Sequence, residues 1–219
     1  MSRPEPTGEN RIVEPEEIFF STTDAKGVIE KANSVFVDIS RYSWDDLIGA
    51  PHNIIRHPMM PGAAFLAMWT TIKTGEPFCA YVHNLAADGA TYTVLATVVP
   101  LGEGYLSVRV TPQVPEMLQA AETVYQAGRD AEWIAGEQGC GAPERARRGL
   151  DAVKTALEQA GYPDYGTFMR RRWFRRCRYV GGSTVPAVAW LTRRLWDSCR
   201  ARSTGLDSWS RPGWRPSTG

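Results

Sequence analysis

The sequence has few of the residues from which metal-based or disulfide frameworks are built. Its 219 residues include only three histidines and four cysteines. The cysteines, at positions 79, 140, 177 and 199, show no CxxC spacing, so that neither a zinc knuckle nor a disulfide framework is indicated. His52 and His57 are five positions apart and do not lie on one helical turn, which argues against a helix-borne zinc site.

Long hydrophobic runs are also missing. No stretch approaches the ~18 apolar residues that a membrane span needs, and the polar N-terminus MSRPEPTGEN has no apolar signal core. Cysteines without a disulfide pattern are usual in a reducing compartment. The sequence therefore predicts a soluble, cytoplasmic protein.

The combinations of side chains that serve catalysis are not evident either. The chain shows no Ser/His/Asp order, no paired carboxylates and no metal-ligand spacing. We therefore expect a binding or signalling protein and not an enzyme.

Charge is divided unevenly along the chain. Residues 170–219 contain twelve arginines, two aspartates and no lysine or glutamate, whereas the remainder is mildly acidic. Five of the eight tryptophans also lie beyond residue 170. Three interpretations stay open: a nucleic-acid-binding segment, a segment that lies on an anionic membrane, or a sequence read in a shifted frame of GC-rich DNA.

Hydrophobic periodicity changes several times before that segment. One predicted strand starts at 18–20, and further predicted strands cover 28–30, 78–85, 91–99 and 105–110. Predicted helices cover 34–40, 62–73, 116–135 and 144–160. Further local signals are Asn33 as a helix cap, a short helix opened by Ser43, and a hairpin turn at 87–90.

This order predicts an α+β fold: a five-stranded antiparallel sheet with short helices on one face, followed by C-terminal helices. The predicted division is a polar arm at 1–14, a sheet domain at 15–112, a helical hairpin at 113–165 and a basic Arg/Trp-rich tail at 166–219, which we expect to be disordered or irregular. The hairpin could pack on the sheet or make a dimer contact.

The stretch from Ala50 to Ile72 is the most unusual part of the chain. A cationic cluster around Arg56 precedes a Pro-Met-Met-Pro break, and a helix with Phe65, Met68, Trp69 and Ile72 on one face follows. A basic cluster beside an aromatic helix face suits a pocket for a flat ligand that is anionic or bears carbonyl groups. The alternative is a loop followed by an ordinary core helix.

Four segments carry a family resemblance. They are STTDAKGVIEKAN (21–33), FVDISRYSWDDLIGAPHNIIRHPMMPGAAFLAMW (36–69), TIKTGEP (71–77) and VHNLAADGATYTV (82–94). In these segments the chain resembles the PAS domain of bacterial aerotaxis receptors, which bind FAD. The resemblance covers about residues 14–111 and departs from the family at Met59, where an aspartate is usual.

The resemblance implies a PAS fold and a redox or oxygen sensor with FAD between helices and sheet. The pocket positions that it implies are Asn33, His52, Arg56, His57, Trp69, Asn84 and Tyr92. In this arrangement Arg56 and His57 would neutralise a pyrophosphate or contact a flavin carbonyl, Asn84 would bond the polar edge of the ring, and Trp69 would stack on it. The strand pattern points His83 away from Asn84, so that we expect His83 to be exposed.

Two alternatives remain for the ligand. Some PAS domains bind haem through a histidine, and His52 or His57 could ligate iron. A ligand-free interaction module would instead fill the hollow with Met59, Met60 and Trp69. The resemblance also implies a homodimer and an unidentified signalling partner, and the basic tail leaves nucleic-acid binding open.

Overall fold

The computed structural model describes residues 3–169, which form five strands and five α-helices. The strands are β1 (Phe19–Thr23), β2 (Ile29–Ala32), β3 (Phe78–Leu85), β4 (Thr91–Leu101) and β5 (Gly104–Val110). The helices are α1 (Ser34–Ser40), α2 (Trp44–Leu47), α3 (Gly62–Ile72), α4 (Pro115–Glu137) and α5 (Ala142–Gln159), and a 3-10 turn covers His52–Ile55. The predicted basic tail lies outside the described residues from residue 170 onward.

The five strands form one antiparallel sheet in the order β2-β1-β5-β4-β3. The predicted α+β fold, with short helices after the second strand and longer helices after the sheet, is therefore confirmed. The chain crosses from β2 to the far edge at β3 through the short helices, and β5 returns to pair with β1. This return places Phe19 opposite Arg109 and Ser21 opposite Ser107.

Local capping signals explain where the short helices begin. The side chain of Asn33 accepts a hydrogen bond from the Phe36 amide at the start of α1 and also contacts β1, through the Phe20 amide and the Ile18 carbonyl. Ser43 and Asp46 form a reciprocal capping box on α2. The contacts of Asn33 hold α1 close to the first hairpin, whereas the capping box of α2 is internal to that helix.

The strands differ from their predicted lengths where cross-strand pairing extends them. β2 continues to Ala32, because Lys31 and Ala32 pair with β1. β4 continues to Leu101, because Pro100 and Leu101 pair with Tyr105 and Gly104 at the last turn. Both extensions depend on a neighbouring strand, and hydrophobic periodicity does not report such pairing.

The hairpin of α4 and α5 packs on the outer face of β3 and β4 and against α3. Tyr125 of α4 donates a hydrogen bond to the Tyr81 carbonyl at 2.8 Å, and Cys79, Tyr81 and Leu95 share a buried core with both helices. The structure therefore supports packing on the sheet, one of the two roles expected for the hairpin.

The expectation that His83 is exposed is wrong. The strand pattern does point it to the outer face, but α4 covers that face, and only 20% of the His83 side chain is accessible. Its two ring nitrogens contact Thr93 and Glu122, and the hydrogen bond with His83 lowers the pKa of Glu122.

The N-terminal arm is ordered by backbone contacts with the start of β4. Thr7 and Arg11 donate backbone hydrogen bonds to the carbonyls of Gly89 and Thr91, and Arg11 forms an ion pair with Asp88. Arg3 reaches the Asn53 carbonyl at 2.9 Å, which brings a cation close to the 3-10 turn.

Candidate ligand-binding cavity

A cavity of about 240 Å³ lies between α3, the 3-10 turn and the inner face of the sheet. The apolar face predicted for α3 forms one wall, and Val82, Ala96 and Val98 of β3 and β4 form the opposite wall. Exposed Lys26 and Asn53 lie at its rim, so that the cavity opens to solvent there. Because both of these walls are mainly apolar, we call this cavity the slot.

Arg109 of β5 forms the inner, polar end of the cavity. It is only 3% exposed, and its guanidinium lies over the rings of Phe36 and Phe19 at 5.1 and 5.6 Å. Nη1 donates a hydrogen bond to Ser21 Oγ at 3.2 Å, and Nη2 contacts Nε2 of His52. Burial lowers the pKa of Arg109 to about 10, so that the group keeps its charge at neutral pH.

Within residues 3–169, no acidic side chain forms an ion pair with Arg109. An imidazole is neutral or cationic and cannot be a counter-charge for Arg109. Burial first and the charge of Arg109 second lower the pKa of His52 well below its ordinary value, so that it adds no second positive charge. A buried charge without a partner is costly, and proteins usually compensate it with a counter-ion or a ligand. Among residues 3–169, Arg109 has hydrogen-bonding contacts and two aromatic faces as partners but no counter-ion, and the cavity presents this cation to whatever occupies it.

Asn84 and Arg56 supply further polar groups to the wall formed by β3 and the turn. Asn84 is 3% exposed, and its Nδ2 has no hydrogen-bond partner in the described part of the chain. Arg56 donates from Nη2 to the Met60 carbonyl at 2.8 Å and lies over the Phe65 ring at 4.1 Å. Its pKa is lowered mainly by burial. An acceptor in the cavity would satisfy the free amide of Asn84 and part of the charge of Arg56.

Trp69 closes the slot near the rim. Its ring meets Tyr105 edge-on, with centroids 5.5 Å apart and planes at 80°. Gly27 makes room for it, because a Cβ at Gly27 would lie 3.1 Å from two carbons of the Trp69 ring. The indole is therefore held between the first β-turn and β5.

The structure brings four of the seven predicted pocket residues together: His52, Arg56, Trp69 and Asn84 all line the cavity. It does not bring the other three there. Asn33 is occupied as the cap of α1. His57 accepts a hydrogen bond from the Met59 amide through Nδ1, and Tyr92 packs against Phe19 in the core beyond the cavity.

Arg109 is the main cavity residue that sequence reasoning did not identify, together with Ser107 and Tyr105 on the same face of β5. Alternation along β5 could have indicated that these three side chains share a face. Only the pairing of β5 with β1 and β4 shows that this face is the cavity floor, and that pairing joins distant parts of the chain.

The sheet order, the short helices between β2 and β3 and the cavity beneath α3 together have the arrangement of the PAS fold. No family model matches the chain. The chain is similar to the aerotaxis receptor of Escherichia coli (strain K12), with 40% identity over 131 residues that cover 58% of this chain and 26% of the receptor.

Two more distant similarities were found. The nitrogen fixation regulatory protein of Klebsiella pneumoniae is 28% identical over 90 residues, 41% of this chain and 18% of that protein. The light-state structure of the blue-light photoreceptor Aureochrome1 LOV matches 44% of this chain, and the match covers 83% of the photoreceptor chain, at 23% identity and a TM-score of 0.42. The chain thus spans about a quarter or less of the length of the curated relatives that it matches.

Proposed function

We propose that this PAS domain binds a flavin, as FAD, and acts as a redox or oxygen sensor in signal transduction. The observation that carries the proposal is the buried charge of Arg109 at the inner end of the slot, which has no counter-ion among the described residues. The similarity to an aerotaxis receptor also supports a role as a redox or oxygen sensor. A bound flavin would supply redox chemistry, because its ring takes up and releases electrons.

The dimensions and polarity of the slot suit one end of such a molecule. A volume of about 240 Å³ is close to the lower limit of ~300–1,000 Å³ for small-molecule pockets, so that a planar ring system suits it better than a whole dinucleotide. Arg109 and Asn84 would hold the polar edge of the ring with charge-assisted and amide hydrogen bonds. Phe65, Met68 and Trp69 would exclude water from its faces.

The rim suits the phosphate-bearing end of FAD. Lys26 is exposed at the rim, and Arg3 reaches the Asn53 carbonyl there. Two cations at the mouth can neutralise a pyrophosphate that extends into solvent. This arrangement favours a phosphorylated flavin over one without phosphate, and the choice of FAD follows the resemblance of the sequence to the PAS domain of aerotaxis receptors.

The haem alternative is less well supported by the cavity. His52 is the only histidine in its lining, and its Nε2 already lies within hydrogen-bond distance of Ser21 Oγ and beside Arg109. Iron ligation through Nε2 would have to displace both contacts. Of the three side chains expected to fill a ligand-free hollow, only Trp69 lines it, since Met59 is 53% exposed and Met60 packs in the core shared with α4 and α5.

The remaining parts of the proposal concern the setting of the domain. We infer that residues 15–112 are the sensor unit and that 113–165 pass its state to an unidentified signalling partner, with the protein acting as a cytoplasmic homodimer without enzymatic activity. Free Cys79 and Cys140 agree with a reducing compartment. Among the described residues, no helix has the length and apolar character of a membrane span, and no group of three or more His, Cys, Asp or Glu could hold a metal ion.

An absorbance spectrum of freshly purified protein tests the cofactor. We expect flavin bands in the blue and near ultraviolet, and release by acid of a compound that co-migrates with FAD. A Soret band would replace the proposal with haem. A colourless protein that also fails to take up added FAD would reject ligand binding in this cavity.

A further inference from the structure

The segment that joins Arg56 to α3 is held from two sides. We call residues 57–63 the α3 entry segment. From the cavity side, Arg56 donates a hydrogen bond to the Met60 carbonyl at 2.8 Å. From the hairpin side, Arg129 of α4 donates to the Met59 carbonyl at 3.3 Å, and Glu132 binds the first turn of α3.

Glu132 satisfies backbone groups that the entry segment leaves free. Pro61 occupies the N-cap position of α3 and makes no side-chain cap. The Glu132 carboxylate instead accepts hydrogen bonds from the amides of Gly62 and Ala63, at 2.9 and 2.7 Å. A carboxylate at this position both replaces the missing cap and interacts favourably with the helix dipole. The start of α3 is thus completed by a residue of α4.

The surroundings of Glu132 are shaped for this contact. A Cβ at Gly149 of α5 would lie 2.5 Å from Oε1 of Glu132, and one at Gly62 would lie 3.4 Å from each carboxylate oxygen. At Gly128 of α4 a Cβ would lie 3.0 Å from Val153 Cγ2 and 3.6 Å from Cβ of Pro61. Residues without side chains therefore let α4, α5 and the entry segment approach one another around one carboxylate.

The same carboxylate acts on Arg56 electrostatically. Burial lowers the pKa of Arg56, and the negative charge of Glu132 opposes that shift. Arg56 thus connects the cavity with the hairpin twice, once through the Met60 carbonyl and once through charge.

We propose that Glu132 is a positioning residue for the cavity: by holding the first turn of α3 it fixes the Met60 carbonyl, which in turn holds Arg56 at the cavity wall. In this way it couples ligand binding to the seating of α4. The ligand part of this inference rests on the proposed flavin function. Such coupling is reciprocal, because a ligand that binds more tightly when α4 is seated must also stabilise the seated helix by the same factor.

The test uses the full chain in three variants: Glu132→Ala, the isosteric Glu132→Gln, and Glu137→Ala as a control at an exposed position of the same helix. The first measurement needs no ligand. Amide hydrogen exchange by NMR reports the protection of Gly62 and Ala63, and the side-chain NH resonance of Arg56 reports its position. We expect Glu132→Ala to lose protection at both amides and to shift the Arg56 resonance, Glu132→Gln to lose less, and the control to match wild type.

The second measurement is FAD titration of the apoprotein, followed by hydrogen exchange of α4 with and without FAD. We expect the Kd to rise about fivefold or more in Glu132→Ala, the lower end of typical coupling between sites, and less in Glu132→Gln. FAD should slow exchange in α4 of the wild type and not in Glu132→Ala. These ligand effects distinguish positioning from a general loss of stability.

The outcomes separate this inference from the proposed function. Unchanged exchange at Gly62 and Ala63 in Glu132→Ala overturns the inference, as does lost protection with an unchanged Kd. If wild type binds no FAD, the proposed function fails by itself, and the Arg56 resonance then decides: a shift in Glu132→Ala supports positioning, and an unshifted resonance rejects it. Glu132→Gln gives the same comparison if Glu132→Ala does not fold.

Discussion

Arg109 and His52 meet at the inner end of the cavity, where Nη2 of the guanidinium contacts Nε2 of the imidazole. Two groups that can both be cationic therefore share one buried corner. The pKa of His52 is lowered well below its ordinary value, so that His52 is neutral and can accept a hydrogen bond, while Arg109 retains the charge. The corner carries one cation, directed toward the ligand space.

Arg109→Met should separate ligand binding from stability. Without ligand, the variant should be as stable as wild type or more stable by about 1–3 kcal/mol, because a buried group without a full set of partners is removed. Bound FAD per protein should fall sharply, because the ring edge loses its cation. Denaturant unfolding of the apoprotein and cofactor absorbance measure the two effects.

Arg147→Met serves as the control for that variant, since Arg147 lies on α5 with 67% of its side chain exposed. Arg147→Met should change neither the stability of the apoprotein nor the amount of FAD bound per protein appreciably. Strong destabilisation of the Arg109→Met apoprotein would contradict the proposal that the charge of Arg109 is compensated by a ligand and not by the protein.

Asn84→Ala should lower FAD affinity without lowering the stability of the apoprotein. The Nδ2 group of Asn84 has no partner among residues 3–169, so that its removal leaves no new unsatisfied group. The lost hydrogen bond to the ligand should cost about 0.5–1.5 kcal/mol of binding free energy. Fluorescence titration measures this, with the exposed Asn10→Ala as control. Equal Kd values for both variants would remove Asn84 from the site.

The free energy of unfolding should fall as the pH drops below 6.5, the ordinary pKa of His52. The folded-state pKa is lowered, so that in this range the unfolded chain binds the proton and the folded chain does not. The contribution of neutral His52 to the free energy of unfolding is complete above pH 6.5. It is lost progressively as the pH falls toward the pKa of His52 in the folded state, with a slope of at most about 1.4 kcal/mol per pH unit. His57 contributes in the same direction, because burial lowers its pKa too.

His52→Gln isolates the first contribution. Its unfolding free energy, measured in urea between pH 5 and 8, should depend less steeply on pH than that of wild type. Identical slopes would mean that His52 is not buried as a neutral group.

Gly27→Ala should disturb the cavity, whereas Gly75→Ala should not. Both glycines have positive φ, at 84° and 88°, so that each substitution should cost about 1–2 kcal/mol of backbone strain. Only at Gly27 would the new Cβ crowd the Trp69 ring, at 3.1 Å, since nothing lies within 4 Å of a Cβ at Gly75. Comparable losses of unfolding free energy with a lower FAD affinity in Gly27→Ala alone are the expected result. Equal affinities would show that Trp69 does not border the ligand.

Much of the cavity could be predicted, because many of its lining residues come from one continuous segment of the sequence. Arg56 and Trp69 belong to one continuous stretch, in which the cationic turn, the proline break and the apolar face of α3 follow one another. Asn33 shows the limit of such reasoning. Its residue type suits both a ligand contact and a helix cap, and the neighbouring amide of Phe36 decided for the cap.

The order of the elements, the apolar face of α3 and the caps of α1 and α2 could be predicted from the sequence, since these features depend on residues a few positions apart. Three other contacts became visible only in the folded chain: Arg109 faces His52, α4 covers His83, and Glu132 completes the start of α3. Each of these contacts joins segments that are far apart in the chain. The sheet order and the packing of the hairpin bring them together, and neither is encoded in local periodicity.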